Sequence, residues 1–244
     1  MISSILNRHT GKIVIDRLEV DNDLITEPES VRFHTAKHFQ TCVGAPTTDG
    51  TIPDEWKNDY LPINSINDLI YDRLMDPPSF SEWYDFIANA PANKAPGPSQ
   101  LSYDLMKHLG PLALDILHQL TCACFRLSII PTGWKRAAIY PIPKPTAWQL
   151  KLNNTRPITL LESPRKILVK ILNARLSKIF VEHTILQPCQ FAGLPGGSTM
   201  SPITVIKHMI DDARLNDKEI WIYLQDLSKC YNRVDTRILR HAMN

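Results

Sequence analysis

The sequence has no run of about 18 apolar residues, so no helix is expected to span a bilayer. Its start, MISSILNRHTGKIV, lacks the apolar core of a secretory signal. None of the five cysteines (Cys42, Cys122, Cys124, Cys189, Cys230) falls in a metal-binding pattern: Cys122-Ala123-Cys124 lacks both the two-residue gap and a second pair. An odd cysteine count fits reduced thiols better than a disulfide framework. There is no internal repeat and no low-complexity tract. These absences argue against membrane-spanning, secreted disulfide-rich and zinc-ribbon classes. They lead to the expectation of an intracellular protein, nuclear or cytoplasmic, with no membrane partner.

Glycine is also scarce, nine residues against nineteen prolines, so prolines should open many short elements. Negative charge is missing from one region. Residues 132–180 hold ten Lys and Arg and a single acid, Glu162, a balance of +9, whereas residues 1–90 balance to −8. The whole-chain charge of +2 hides this asymmetry. A basic block suits a polyanion partner, or it is simply the solvated face of a helix.

An apolar fraction of 43% is enough for a packed core. Periodicity and breakers predict a helix-rich α/β or α+β chain. GKIVIDRLEV reads as a short β segment. TEPESVRFHTAKHFQTCVG reads as a helix with Thr26 as cap, residues 44–66 as loop, and DPPSFSEWYDFIANA as a helix capped by Ser79 or Ser81. PANKAPGPSQ is a break. Two helices follow it, the second opening at Pro111. WKRAAIYPIPKP reads as a strand stopped by prolines. A long helix is then expected from Ser163 as cap and Pro164 as first residue, with Ile167, Leu168, Ile171, Leu172, Leu176 and Ile179 as its apolar stripe. After the glycine-rich stretch Gly193 to Gly197, Ser201 should cap another helix. Ile220, Ile222 and Leu224 alternate with Trp221, Tyr223 and Gln225, which reads as a strand covered on both faces. Asp235 should cap a last helix.

Asp226 closes that strand. An acid at the end of a buried strand is a common place for a metal or phosphate ligand, and Asp is equally a favoured residue for leaving a strand and capping a turn.

Five stretches in order, NKAPGPSQLSYDLMKHLG, GWKRAAIYPIPKP, NNTRPITLLESPRKILVKILNARL, QFAGLPGGST and IWIYLQDLSKCYNRV, resemble the reverse transcriptases of non-LTR, LINE-type retrotransposons. The resemblance covers roughly Lys94 to Val234. It implies right-hand polymerase fingers with the first strand of an incomplete palm: an acidic leading region over residues 1–90, a fingers-like region over 91–218 and the start of the palm over 219–244. It implies template-directed nucleotidyl transfer, with an RNA template, a DNA primer, dNTP and Mg²⁺ as partners. Lys144 and Arg156 match the basic side chains that bind the triphosphate of the incoming nucleotide. Asp226 matches the first metal-binding aspartate, and Leu227 would lend a carbonyl to the metal. Tyr231 matches the aromatic that packs under the sugar. Lys166, Lys170, Gln190 and Gly193 match positions near the nucleic acid. Several have a plainer alternative: Lys144 as a surface loop lysine, Arg156 as a structural partner of Glu162 or of a backbone carbonyl, Tyr231 as a buried tyrosine, Gln190 and Gly193 as loop structure.

Two positions depart from the family pattern, Asn232 where an acid usually follows the aromatic and Ser99 where Asp often follows APGP. The larger departure is length. Only 18 residues follow Asp226, and the family's aromatic-Ala-Asp-Asp hairpin and thumb should lie further on. The two adjacent aspartates Asp211-Asp212 precede the strand and lack that lead. The expectation is therefore a chain truncated after its first catalytic motif and inactive as a polymerase by itself, with a non-catalytic RNA/DNA-binding remnant as the alternative.

Overall fold

The computed structural model describes residues 15–42, 51–61, 66–144, 148–186, 190–193, 195–227, 231 and 234–243. It is a mixed, helix-rich chain with two small antiparallel sheets. It divides into two compact units. The first combines Met1–Tyr60, Ile139–Thr159 and Lys229–Asn244; the second combines Leu61–Ala138 and Leu160–Ser228.

In the first unit, β1 (Leu18–Val20) pairs with β2 (Asp23–Ile25), Leu18 opposite Ile25 and Val20 opposite Asp23. The turn between them uses Asp21 and Asn22 at φ 52° and 72°, a left-handed conformation these two residue types tolerate best. Leu18 is fully buried. Of the predicted β segment, residues 11–14 lie outside the described residues. The helix α1 (Pro28–Cys42) buries Val31 and Phe39. Its cap is Glu27, whose carboxylate accepts from the Glu29 and Ser30 N–H groups, rather than the expected Thr26. A longer side chain one position nearer reaches the same orphan donors. Within the expected loop, Asp54–Tyr60 forms a 3₁₀ helix.

The second unit holds the larger core. The helix α2 (Phe80–Ala88) starts at Ser79, whose Oγ accepts from Glu82 N–H at 3.1 Å. The short α3 (Tyr103–Lys107) is capped by Ser102 in the same way. The helix α4 (Pro111–Leu127) opens with Pro111 in its first turn, where a missing N–H costs nothing, and stops at Ser128 in a left-handed conformation. A single turn, α5 (Thr132–Lys135), precedes β3 (Ala137–Pro143), which pairs with β4 (Thr155–Leu161) in a hairpin that belongs mainly to the first unit. The long α6 (Ser163–Glu182) follows. Its N-cap is Glu162, one residue before the predicted Ser163, which lies buried inside the first turn. The predicted stripe faces the core: Ile167, Leu168 and Ile171 are buried against Trp83, Ile87, Tyr103, Met106, Cys124 and Phe125.

The remaining helices are α7 (Met200–Leu215) and α8 (Thr236–Met243). Ser201 lies inside α7, not at its cap; Ser198 Oγ accepts from Met200 N–H at 3.1 Å instead. Asp235 Oδ1 accepts from Arg237 N–H at 2.9 Å at the start of α8, as a cap should.

The expected strand over Ile220–Gln225 is the main correction. These residues carry no strand, and no other described strand pairs with them. Both faces are open, with Tyr223 85% and Leu224 83% exposed. Alternation gives a segment the pattern of a strand, but the ladder bonds have to come from a neighbour.

Candidate functional site

Lys144 and Arg156 come together on one hairpin of the first unit. Lys144 follows the last residue of β3, and its N–H donates to the Asn154 carbonyl at 2.8 Å. Arg156 stands in β4 two residues beyond Asn154, with its side chain in solvent. Thr155 between them is buried, and its Oγ donates to the Leu152 carbonyl at 2.6 Å, which pins the turn. Among the described residues no carboxylate pairs with either cation. The pairing of Arg156 with Glu162 is thus not formed. Two cations on a pinned hairpin can bind an oxyanion, the guanidinium in bidentate fashion and the ammonium as a point charge.

Glu162 has another partner. It is 3% exposed, and its two oxygens accept the N–H and the hydroxyl of Ser99, 63 residues earlier. The same loop touches α6 at two further points. A Cβ on Gly97 would lie 2.6 Å from Glu162 N, so only glycine lets the two backbones meet. Lys166 Nζ donates to the Ala95 carbonyl at 3.5 Å. The proline-rich break is therefore a saddle seated on the N-terminus of α6.

Lys166 and Lys170 sit one turn apart on that helix, over the ring of the buried Tyr103, at 5.9 and 5.0 Å from its centroid. Burial holds the Lys166 ammonium below the usual lysine range, with Glu162 opposing and Lys170 adding to the effect. Burial likewise raises the Tyr103 hydroxyl. These lysines are half-buried and already engaged with an aromatic face, which fixes where their charge can point.

Asp226 and Leu227 lie in the second unit, exposed, at the end of the unpaired segment. Tyr231 falls in the first unit and is 93% exposed, so it is not a core tyrosine. Gln190 Nε2 donates to the Ala192 carbonyl at 2.8 Å, and Gly193 takes φ +81° with open space around it. Among the described residues no three His, Cys, Asp or Glu side chains gather as a metal cluster. Asp211 and Asp212 lie on α7, where Asp212 Oδ1 accepts from Asn216 Nδ2.

Sequence reasoning passed over three residues that organise this region. Ser99 was visible only as a departure from a family pattern, Gly97 only as one member of a proline-rich break, and Arg175 only as one charge in the basic block.

No protein-family model matches the chain. It is similar to an uncharacterized 149 kDa protein of transposon TX1 from Xenopus laevis, 24% identical over 220 residues, which are 90% of this chain and 16% of that protein. It is also similar to a probable RNA-directed DNA polymerase from transposon BS of Drosophila melanogaster, 30% identical over 161 residues, which are 65% of this chain and 17% of that protein. The chain spans less than a fifth of the length of either relative. Its homologues are transposon-encoded proteins.

Proposed function

We propose that this chain is a piece of a retrotransposon reverse transcriptase of the non-LTR, LINE type, an RNA-directed DNA polymerase, with residues 91–218 as its fingers-like region and 219–244 as the start of its palm. The similarity over 161 residues to a transposon RNA-directed DNA polymerase carries this assignment. The hairpin with Lys144 and Arg156 supports it, because two cations with no carboxylate partner among the described residues, carried on one hairpin, suit the triphosphate of a dNTP. Tyr231 would contact the sugar. Lys166, Lys170, Gln190 and Gly193 would lie along the RNA template and DNA primer.

Asp226 and the Leu227 carbonyl would be ligands for Mg²⁺. This metal wants octahedral oxygen coordination, and the polymerase reaction needs two such ions held by shared carboxylates. One exposed aspartate does not make that set, and the described residues gather no other. The residues present therefore do not fit a complete metal centre, and no catalytic step is assigned to them.

Two outcomes test the assignment. Alanine at Lys144 or at Arg156 should each weaken binding of a fluorescent dNTP by about tenfold or more, the loss of a charge-assisted contact. Unchanged affinity in both variants would remove the hairpin from the site. In primer extension with Mg²⁺, dNTPs and a primed RNA, the full chain should give no product. Template-dependent product abolished by Asp226→Ala would overturn the expected inactivity.

A non-catalytic nucleic-acid-binding role is favoured by one specific observation. Within residues 132–180, Lys135, Arg136, Lys144, Arg156 and Lys170 have no carboxylate partner among the described residues. Such cations grip phosphates by counterion release, whatever the fate of the metal site.

A further inference from the structure

The turn Trp148–Lys151 holds a strained backbone with no glycine to absorb it. Gln149 and Leu150 take φ 44° and 57°, the left-handed region that costs any residue with a Cβ. Leucine has no short polar side chain to offset that cost, as Asn or Asp would. Such a conformation persists where the surrounding structure over-determines it. The turn's own bond, Lys151 N–H to the Trp148 carbonyl at 3.0 Å, supplies part of the hold.

The rest comes from β1, near the other end of the sequence. Glu19 N–H donates to the Leu150 carbonyl at 2.9 Å, and the Glu19 carboxylate lies 3.2 Å from Lys151 Nζ. Register makes Glu19 available for this. Val20 and Asp23 flank the two-residue turn between β1 and β2, where the first ladder bonds form. In the next pair, Glu19 and Leu24, the backbone groups point outward. From this grip a short hydrogen-bonded path leads to the cations of the candidate site. Asn154 N–H donates to the Lys151 carbonyl at 2.8 Å, and Lys144 N–H donates to the Asn154 carbonyl at 2.8 Å. Arg156 follows two residues later on β4. Every residue on the path belongs to the first unit.

We propose that Glu19 is a positioning residue for the Lys144 and Arg156 pair: β1 clamps the turn Trp148–Lys151 in the conformation that presents both cations to a triphosphate. This rests on the reading of that pair as a dNTP site. Glu19 acts through population and not by contact with the nucleotide. A turn in left-handed backbone relaxes when its clamp is released. A ligand that binds only the held conformation then loses affinity in proportion to the fraction that has relaxed. The acidic leading region thereby gains a use beside an anion site, because its carboxylate is spent on Lys151.

A charge swap on the full chain tests it. Glu19→Lys sets two ammonium groups against each other and should raise the Kd for a fluorescent dNTP about threefold to fivefold. The added positive charge by itself would strengthen triphosphate binding, so a loss has to come through the turn. The ion pair is exposed, so the melting temperature should hold within about 1 °C. Glu19→Lys combined with Lys151→Glu rebuilds the pair at unchanged net charge and should restore the wild-type affinity. Hydrogen exchange gives a readout that needs no nucleotide: the Lys144 and Asn154 amides should exchange faster in Glu19→Lys and return to the wild-type rate in the swap. Wild-type affinity in Glu19→Lys, a swap that fails to rescue, or unchanged exchange would each overturn the proposal. Lys144→Ala and Arg156→Ala separate the two possible failures. If they weaken dNTP binding and Glu19→Lys does not, only the clamp falls. If neither weakens it, the nucleotide reading falls and takes the positioning role with it.

Discussion

Gly97→Ala is expected to lower the melting temperature of the unit that holds the main core by about 2–12 °C, from an overpacking cost of roughly 1–3 kcal/mol. The new methyl carbon would lie 2.6 Å from Glu162 N, 2.7 Å from the Leu161 carbonyl carbon and 2.8 Å from Glu162 Cα. All three are backbone atoms at the start of α6, and none can swing away as the tip of a flexible side chain would. Relief requires the loop to lift. Lifting breaks both hydrogen bonds from Ser99 to Glu162 and draws Ala95 away from Lys166. Glu162 would then be a buried carboxylate without donors, which adds to the penalty. Gly133→Ala is the control, because nothing lies within 4 Å of its added carbon and the residue sits in a helical turn that favours alanine. Thermal denaturation followed by circular dichroism should separate the two variants clearly. Equal melting temperatures would mean that the loop yields freely and that the contact between Gly97 and Glu162 does not hold it.

The same contact shows what the sequence could and could not disclose. Local features were readable because their causes are local. Ser79 caps α2 because a hydroxyl three residues before an amide reaches it, and Pro111 opens α4 because its fixed φ suits a first turn. The apolar spacing of Ile167, Leu168 and Ile171 marked the buried face of α6. The caps that failed, Thr26, Ser163 and Ser201, failed by one to three positions, where several polar side chains compete for the same orphan amides. Ser99 and Glu162 are 63 residues apart, and neither residue type nor spacing names the other. The plainer alternative for Arg156, a structural pair with Glu162, is not formed, because the carboxylate took a partner from another loop.

The segment Ile220–Gln225 fails in the opposite sense. Its alternation is clear, yet alternation describes only which side chains share a face. Pairing belongs to two strands at once, and one sequence segment cannot show who supplies the second. The candidate site was readable to the same degree. Lys144 and Arg156 were singled out separately, and the hairpin that joins them became visible only through the Lys144 to Asn154 bond. The basic block was readable as charge but not as use: Arg175 and Lys151 are committed to acids, while Lys144 and Arg156 are not.

Arg175→Met should cost more than any substitution on the surface of α6, about 2–4 kcal/mol, below the range for breaking a fully buried ion pair because this one is partly solvated. The guanidinium makes four bonds. Nε and Nη2 donate to the two oxygens of Glu82 at 2.9 and 2.7 Å, and Nη1 donates to the carbonyls of Leu74 and Asp76 at 3.1 and 2.6 Å. It also lies 5.4 Å from the centroid of the buried Phe125 ring. One side chain thus ties α6 to α2 and to the segment that leads into it. Methionine keeps the aliphatic stem against Phe125 but leaves one carboxylate and two carbonyls without a donor. At roughly 2–4 °C per kcal/mol the melting temperature should fall by about 4–16 °C. Arg175→Lys should recover only part of the loss, because a single ammonium cannot reproduce the planar fork. The decisive measurement is a double-mutant cycle with Glu82→Gln. If the pair carries the stability, the double variant is less destabilised than the sum of the two singles, by about 1 kcal/mol or more. Strict additivity would mean that the carbonyls of Leu74 and Asp76, rather than Glu82, are the partners that matter.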